Sequence, residues 1–146
     1  MKRSLFTAVL YFLLFGANSQ ITSIPEEAKA NFANQYPEAT DVVWTNNVIN
    51  VGVKFDLNGE KMYAEYTNKG IWKETYQDWT LEKLPVAVTD GLDKSKYAEW
   101  KIKTVKLVHY PGNIERYRVE VEKNELQKKY LYFNTKGRMV KSSITL

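Results

Sequence analysis

Between Val51 and Tyr66 the chain alternates. Val51, Val53, Phe55 and Leu57 are apolar and are separated by Gly52, Lys54 and Asp56, the period-two signature of a strand with one buried side. Asn58-Gly59 follows, a dipeptide suited to a two-residue hairpin because both turn positions require positive φ. With those two residues as the loop, Leu57 opposes Glu60, Phe55 opposes Met62, Val53 opposes Ala64 and Val51 opposes Tyr66, so the apolar partners share one side. Lys54, Asp56, Lys61, Tyr63 and Glu65 fall on the other side. The pattern predicts an antiparallel sheet with one covered face and one wetter face.

Upstream the period is helical. Pro25 suits a first helical position, Ser23 is placed to cap it, and Glu26 and Glu27 oppose the positive end of the helix dipole. Ala28, Phe32 and Tyr36 follow at helical spacing and Pro37 stops the segment, so a helix from about Pro25 to Tyr36 is expected above Phe55. After the hairpin, Asn68-Lys69-Gly70 turns the chain into a stretch from Ile71 to Trp79. There the pattern leaves open whether Ile71 or Trp72 faces the core.

The same order then recurs. Leu84-Pro85 opens a helix-like stretch to about Tyr97, which Gly91 weakens by about 1 kcal/mol relative to alanine. Strands are expected near Lys101 to His109, Ile114 to Lys123, Gln127 to Phe133 and Arg138 to Ile144. Tyr117, Val119 and Val121 make one face with Leu131 and Phe133, which leaves Arg116, Arg118, Glu120, Lys128, Tyr130 and Tyr132 on the other. Aligning Tyr66 with Phe133 also aligns Tyr63 with Tyr130. Each half is too short to bury much core alone, and no Gly/Ser/Pro-rich linker separates them. The expected fold is therefore α+β: one domain over 20–146, made of two tandem helix-plus-antiparallel-strand repeats at about 20–82 and 83–146.

Lys2 and Arg3 precede an apolar run from Leu5 to Phe15, followed by Gly16, Ala17, Asn18, Ser19 and Gln20. This is the layout of a secretory signal peptide over 1–19, and the run falls short of the roughly 20 residues that a spanning helix needs. No membrane span is expected after cleavage, and the protein is expected to be periplasmic or extracellular. The chain has no cysteine, which excludes both a lipid anchor and disulfide staples.

Charge changes with the leader's removal. Of 21 Lys+Arg against 17 Asp+Glu, Lys2 and Arg3 leave, so 19 face 17 and no nucleic-acid partner is implied. The distribution is uneven: residues 20–84 carry 6 basic and 10 acidic side chains, residues 85–146 carry 13 and 7. Halves of opposite sign favour docking on each other or on a polarised partner.

Tyr36-Pro37-Glu38-Ala39, Val42-Val43-Trp44, Val53-Lys54-Phe55 and Asn68-Lys69-Gly70-Ile71-Trp72 together resemble the PepSY-like family, also described as beta-lactamase-inhibitor-like, of small exported proteins in Bacteroidetes-type bacteria. The resemblance spans the mature chain and is clearest from Pro25 to Trp79. It implies tandem helix-plus-four-strand units that share one antiparallel sheet, with the helices packed on one face. In the secreted inhibitor such an arrangement leaves a concave sheet surface free to grip an enzyme, but the cysteines of that inhibitor have no counterpart here.

Catalytic residues are not expected. His109 is the single histidine, there is no G-x-S-x-G and no cysteine, and one histidine cannot supply the usual zinc set, so no metal or other cofactor is implied. Asp56-Leu57-Asn58-Gly59-Glu60 lacks the spacing of a calcium loop and reads as a turn. Two binding readings remain. The outer face, with Tyr63, Arg116, Arg118, Tyr130 and Tyr132, carries the residue types enriched at protein hot spots, and as exposed positions they should affect stability by less than about 0.5 kcal/mol each. Alternatively, Trp72, Trp79 and Trp100 form a stacking platform for a glycan or peptide. The leading expectation is a non-enzymatic exported protein whose open sheet face contacts an envelope or extracellular protein, as inhibitor or modulator of an envelope enzyme.

Overall fold

A computed structural model describes residues 23–145, and the expected signal peptide therefore lies outside the described residues. Along the chain come α1 (Glu26–Gln35), β1 (Thr40–Asn46), β2 (Asn50–Leu57), β3 (Glu60–Thr67) and β4 (Trp72–Trp79), then α2 (Val86–Asp93), β5 (Lys101–Tyr110), β6 (Ile114–Asn124), β7 (Gln127–Asn134) and β8 (Met139–Ile144). All eight strands form one open antiparallel sheet in sequence order. The described helices are too short to cross a membrane.

The β2–β3 hairpin has the expected register, with Leu57 opposite Glu60, Phe55 opposite Met62, Val53 opposite Ala64 and Val51 opposite Tyr66. Asn58 and Gly59 take φ of 52° and 81°, the positive values such a turn demands. Paired residues in an antiparallel sheet share a face, so one row can be followed across the molecule: Phe55, Met62, Gln77, Leu107, Tyr117, Phe133. Both helices lie on that side. Ala28 and Phe32 of α1 pack on Val51, Val53, Phe55, Ala64 and Tyr66. Val88 and Leu92 of α2 pack on Leu107, Val119, Leu131 and Phe133, among others. Full burial of such side chains contributes about 1.5–3 kcal/mol each, so these two clusters carry the fold.

Polar groups within the first cluster are satisfied. Thr75 is fully buried beneath α1, where its Oγ1 lies 2.7 Å from Tyr36 Oη and accepts a 2.9 Å hydrogen bond from Trp72 Nε1.

Three details differ from the sequence expectations or complete them. Pro25 is itself the N-terminal cap, its carbonyl accepting from the Ala28 and Lys29 amides, and Ser23 makes no cap bond. The second helix ends at Asp93, short of Tyr97, because Ser95 Oγ accepts the Tyr97 amide and holds a turn that competes with the helix. At the start of β4, Tyr66 pairs with Trp72 while Glu65 pairs with Glu74, so a bulge rotates Trp72 onto the core and leaves Ile71 61% exposed.

The uncovered sheet face as candidate binding site

The side chains that point away from the helices form transverse rows. One row runs Lys54, Tyr63, Tyr76, Val108, Arg116, Asn134, and the next runs Asp78, Lys106, Arg118, Tyr132, Lys141. Tyr130 and Glu120 pair in the row beyond. Of the five expected contact residues, the structure places all on this face. It does not leave them fully exposed: Tyr63, Arg116, Arg118 and Tyr130 are half-buried and Tyr132 is only 6% exposed.

That correction to the expected exposure has a physical cause. Long side chains on a pleated surface lie over their diagonal neighbours, and here aromatic rings alternate with cations. Arg118 Cζ sits 4.6 Å from the Tyr76 ring centroid and 4.3 Å from that of Tyr130. Arg116 lies over Tyr110 at 5.2 Å and Lys141 over Tyr132 at 5.1 Å, while Tyr63 and Tyr76 have centroids 6.2 Å apart. Val108, beneath this layer, is fully buried although no helix covers it. Stacking of this kind contributes about 0.5–1 kcal/mol per exposed pair and more when desolvated, which favours this arrangement of the side chains over others.

Beside this layer lies an open depression of about 420 Å³, whose lining includes Lys54, Asp56, Lys61, Tyr63, Tyr76 and Lys106. Lys106 pairs with Asp78, and Lys61 lies 3.5 Å from Asp56. At the other end of the face Glu65 and Glu74 are direct cross-strand neighbours. Tyr76 donates a 2.8 Å hydrogen bond to Glu74, and burial together with that carboxylate pushes the phenol well above its ordinary range. Burial and the Glu74 charge raise Tyr110 likewise, and burial and the Glu65 charge raise Tyr63. These three hydroxyls remain protonated hydrogen-bond donors across the neutral range.

Tyr76, Tyr110, Glu74 and Lys141 belong to this site and were not singled out from sequence. The alternation of Glu74, Tyr76 and Asp78 with Thr75, Gln77 and Trp79 was available. What hid it was the bulge at Trp72, which removes the phase reference at the strand's start.

The tryptophans lie on the helix side. Trp72 packs on the α1 cluster, and Trp79 and Trp100 pack on the α2 cluster, each half-buried. Trp79 Nε1 donates to the Lys83 carbonyl at 3.1 Å, and Trp100 meets Tyr97 edge to face at 5.2 Å. The three line three separate depressions and do not share one platform. His109 lies near the end of β5 on the helix side, with Nδ1 3.3 Å from Glu115 Oε1. Among the described residues no group of three or more His, Cys, Asp or Glu could hold a metal ion.

No family model and no curated protein sequence matches the chain. Solved structures do. A BLIP-like protein from Bacteroides fragilis aligns at 21% identity with a TM-score of 0.72, covering 84% of this chain and 87% of that one. A DUF2874 family protein from Bacteroides ovatus aligns at 23% identity and 0.72, covering 84% and 88%. A candidate periplasmic protein from Bacteroides eggerthii aligns at 22% identity and 0.70, covering 84% and 89%. At these identities the likeness is one of fold.

Proposed function

We propose that this chain is an exported, non-enzymatic binding protein whose uncovered sheet face contacts a protein partner in the bacterial envelope or outside it, as inhibitor or modulator of an envelope enzyme. One observation carries the reading. Helices seal one side of the sheet, while the other presents tyrosine and arginine side chains already locked by mutual stacking. Rigid Tyr and Arg surfaces bind at low entropic cost, and these residue types dominate protein hot spots. The fold neighbours support the reading, one being BLIP-like and another a candidate periplasmic protein. Residues 1–19 act as the leader, and the mature chain starts near Gln20.

A PepSY-like duplication underlies the architecture in this reading. The turns after β3 and after β7 support it, since Gly70 donates to Thr67 and Gly137 to Asn134, while Thr67 donates to Ile71 and Asn134 to Arg138. Each turn is followed by a bulge that pairs Tyr66 with Trp72 in one half and Phe133 with Met139 in the other. A tryptophan platform is disfavoured, because Trp72, Trp79 and Trp100 are spent on two different cores.

Mature protein used as bait on envelope extract tests the proposal. With the captured partner, Tyr130→Ala and Arg118→Ala are expected to weaken binding by roughly 2 kcal/mol or more if they are hot spots. Folded variants with undiminished affinity would remove this face from consideration.

A further inference from the structure

The open face holds cations without an ion-pair partner among the described residues, with the Glu74 carboxylate held nearby on Tyr76. Lys61, Lys106, Lys103 and Lys128 each have a carboxylate partner. Arg116 and Arg118, two residues apart on β6 and therefore on the same side, have none among the described residues, and Lys141 two strands away has none either. Their side chains stack on tyrosine rings. Arg118 shows the arrangement most clearly: two rings clamp its guanidinium, its Nε is sealed from solvent without an acceptor, and no hydrogen bond engages the group.

A buried donor without an acceptor is uncommon in folded proteins, and a clamped planar fork has already lost the freedom that binding would otherwise remove. Guanidinium geometry matches a carboxylate through two parallel hydrogen bonds. Resting on the proposed partner face, we infer that the Arg118 guanidinium, assisted by Arg116, receives an aspartate or glutamate side chain of the partner protein. The excess of basic over acidic residues in 85–146 draws an acidic segment to the same end of the molecule.

Phage-displayed random peptides panned against the mature chain provide the test, with selected sequences resynthesised in acid (Asp or Glu) and amide (Asn or Gln) forms and titrated by NMR. Selected peptides should keep a carboxylate at a fixed position, and its replacement by the amide should weaken Kd by about tenfold or more, the range of a charged hydrogen bond. Arg118→Gln should abolish the difference between the two forms. Arg118→Lys retains the charge without the fork, should preserve only part of the difference, and carries the test if Arg118→Gln unfolds. Peptides that shift Tyr63 and Tyr130 resonances but bind equally in both forms, or a selection with no fixed carboxylate, would overturn the carboxylate assignment and leave the face as the partner site. Shifts confined to α1 and α2 would overturn both.

Discussion

Phe55 and Lys54 are neighbours in sequence and opposites in environment. Phe55 is buried between Phe32, 5.0 Å away edge to face, and Tyr36 at 4.7 Å, while Lys54 is exposed on the far side of the sheet. Phe55→Ala is expected to cost about 3–5 kcal/mol, and Lys54→Ala less than about 0.5 kcal/mol. Chemical denaturation giving equal losses would refute the strand phase on which every face assignment depends. At this scale the sequence was most legible, since alternation and the Asn58-Gly59 turn specify which way each β2 and β3 side chain points. Exposure was not. Tyr132 points to the open face as the alternation predicts, yet it is buried under its neighbours, and a single-strand pattern carries no information about which side chains of the adjoining strands lie over it.

Elements were legible where turns punctuate them and illegible where bulges shift the phase. The helix starts followed from Pro25 and Pro85, but whether Ile71 or Trp72 faces the core could not be decided, because the bulge that decides it is set by tertiary pairing. Gly91 read from sequence only as a weak point in α2. In the structure it is a close approach: a Cβ there would strike the Gly137 carbonyl, and one on Gly137 would strike that of Ala87. Helix α2 thus rests on the β7–β8 turn through backbone contact. Gly137 has φ of 77° and Gly59 has φ of 81°, but nothing lies near a Cβ at Gly59. Gly59→Ala should cost only the left-handed backbone penalty of about 1–2 kcal/mol, whereas Gly137→Ala should cost that plus an overpacking penalty of about 1–3 kcal/mol. Equal urea midpoints for the two variants would contradict this docking.

Across the whole molecule, tyrosine burial couples stability to alkaline pH. Tyr36, Tyr63, Tyr66, Tyr76, Tyr110 and Tyr117 all have hydroxyls raised above the ordinary 10.0, chiefly by burial. The unfolded chain therefore releases these protons at lower pH than the folded chain. Their contribution is complete below about pH 10 and is lost as pH rises toward the folded values. Denaturation midpoints should hold up to about pH 10 and fall progressively above it, with the phenolate absorbance of these six side chains rising only as the protein unfolds. A flat profile would mean that these hydroxyls are not shielded.

The proposed partner surface is the sheet face opposite the helices, and not the tryptophan-bearing side. Hydroxyl-radical footprinting of the protein alone and in complex with its captured partner tests it, because tyrosines and tryptophans are reactive, and Tyr63, Tyr76, Tyr110 and Tyr130 lie on the open face whereas Trp72, Trp79 and Trp100 lie on the helix side. Protection of Tyr63, Tyr76, Tyr110 and Tyr130 with unchanged labelling of Trp72, Trp79 and Trp100 is the predicted result. Protection of the tryptophans with the four tyrosines unchanged would contradict it.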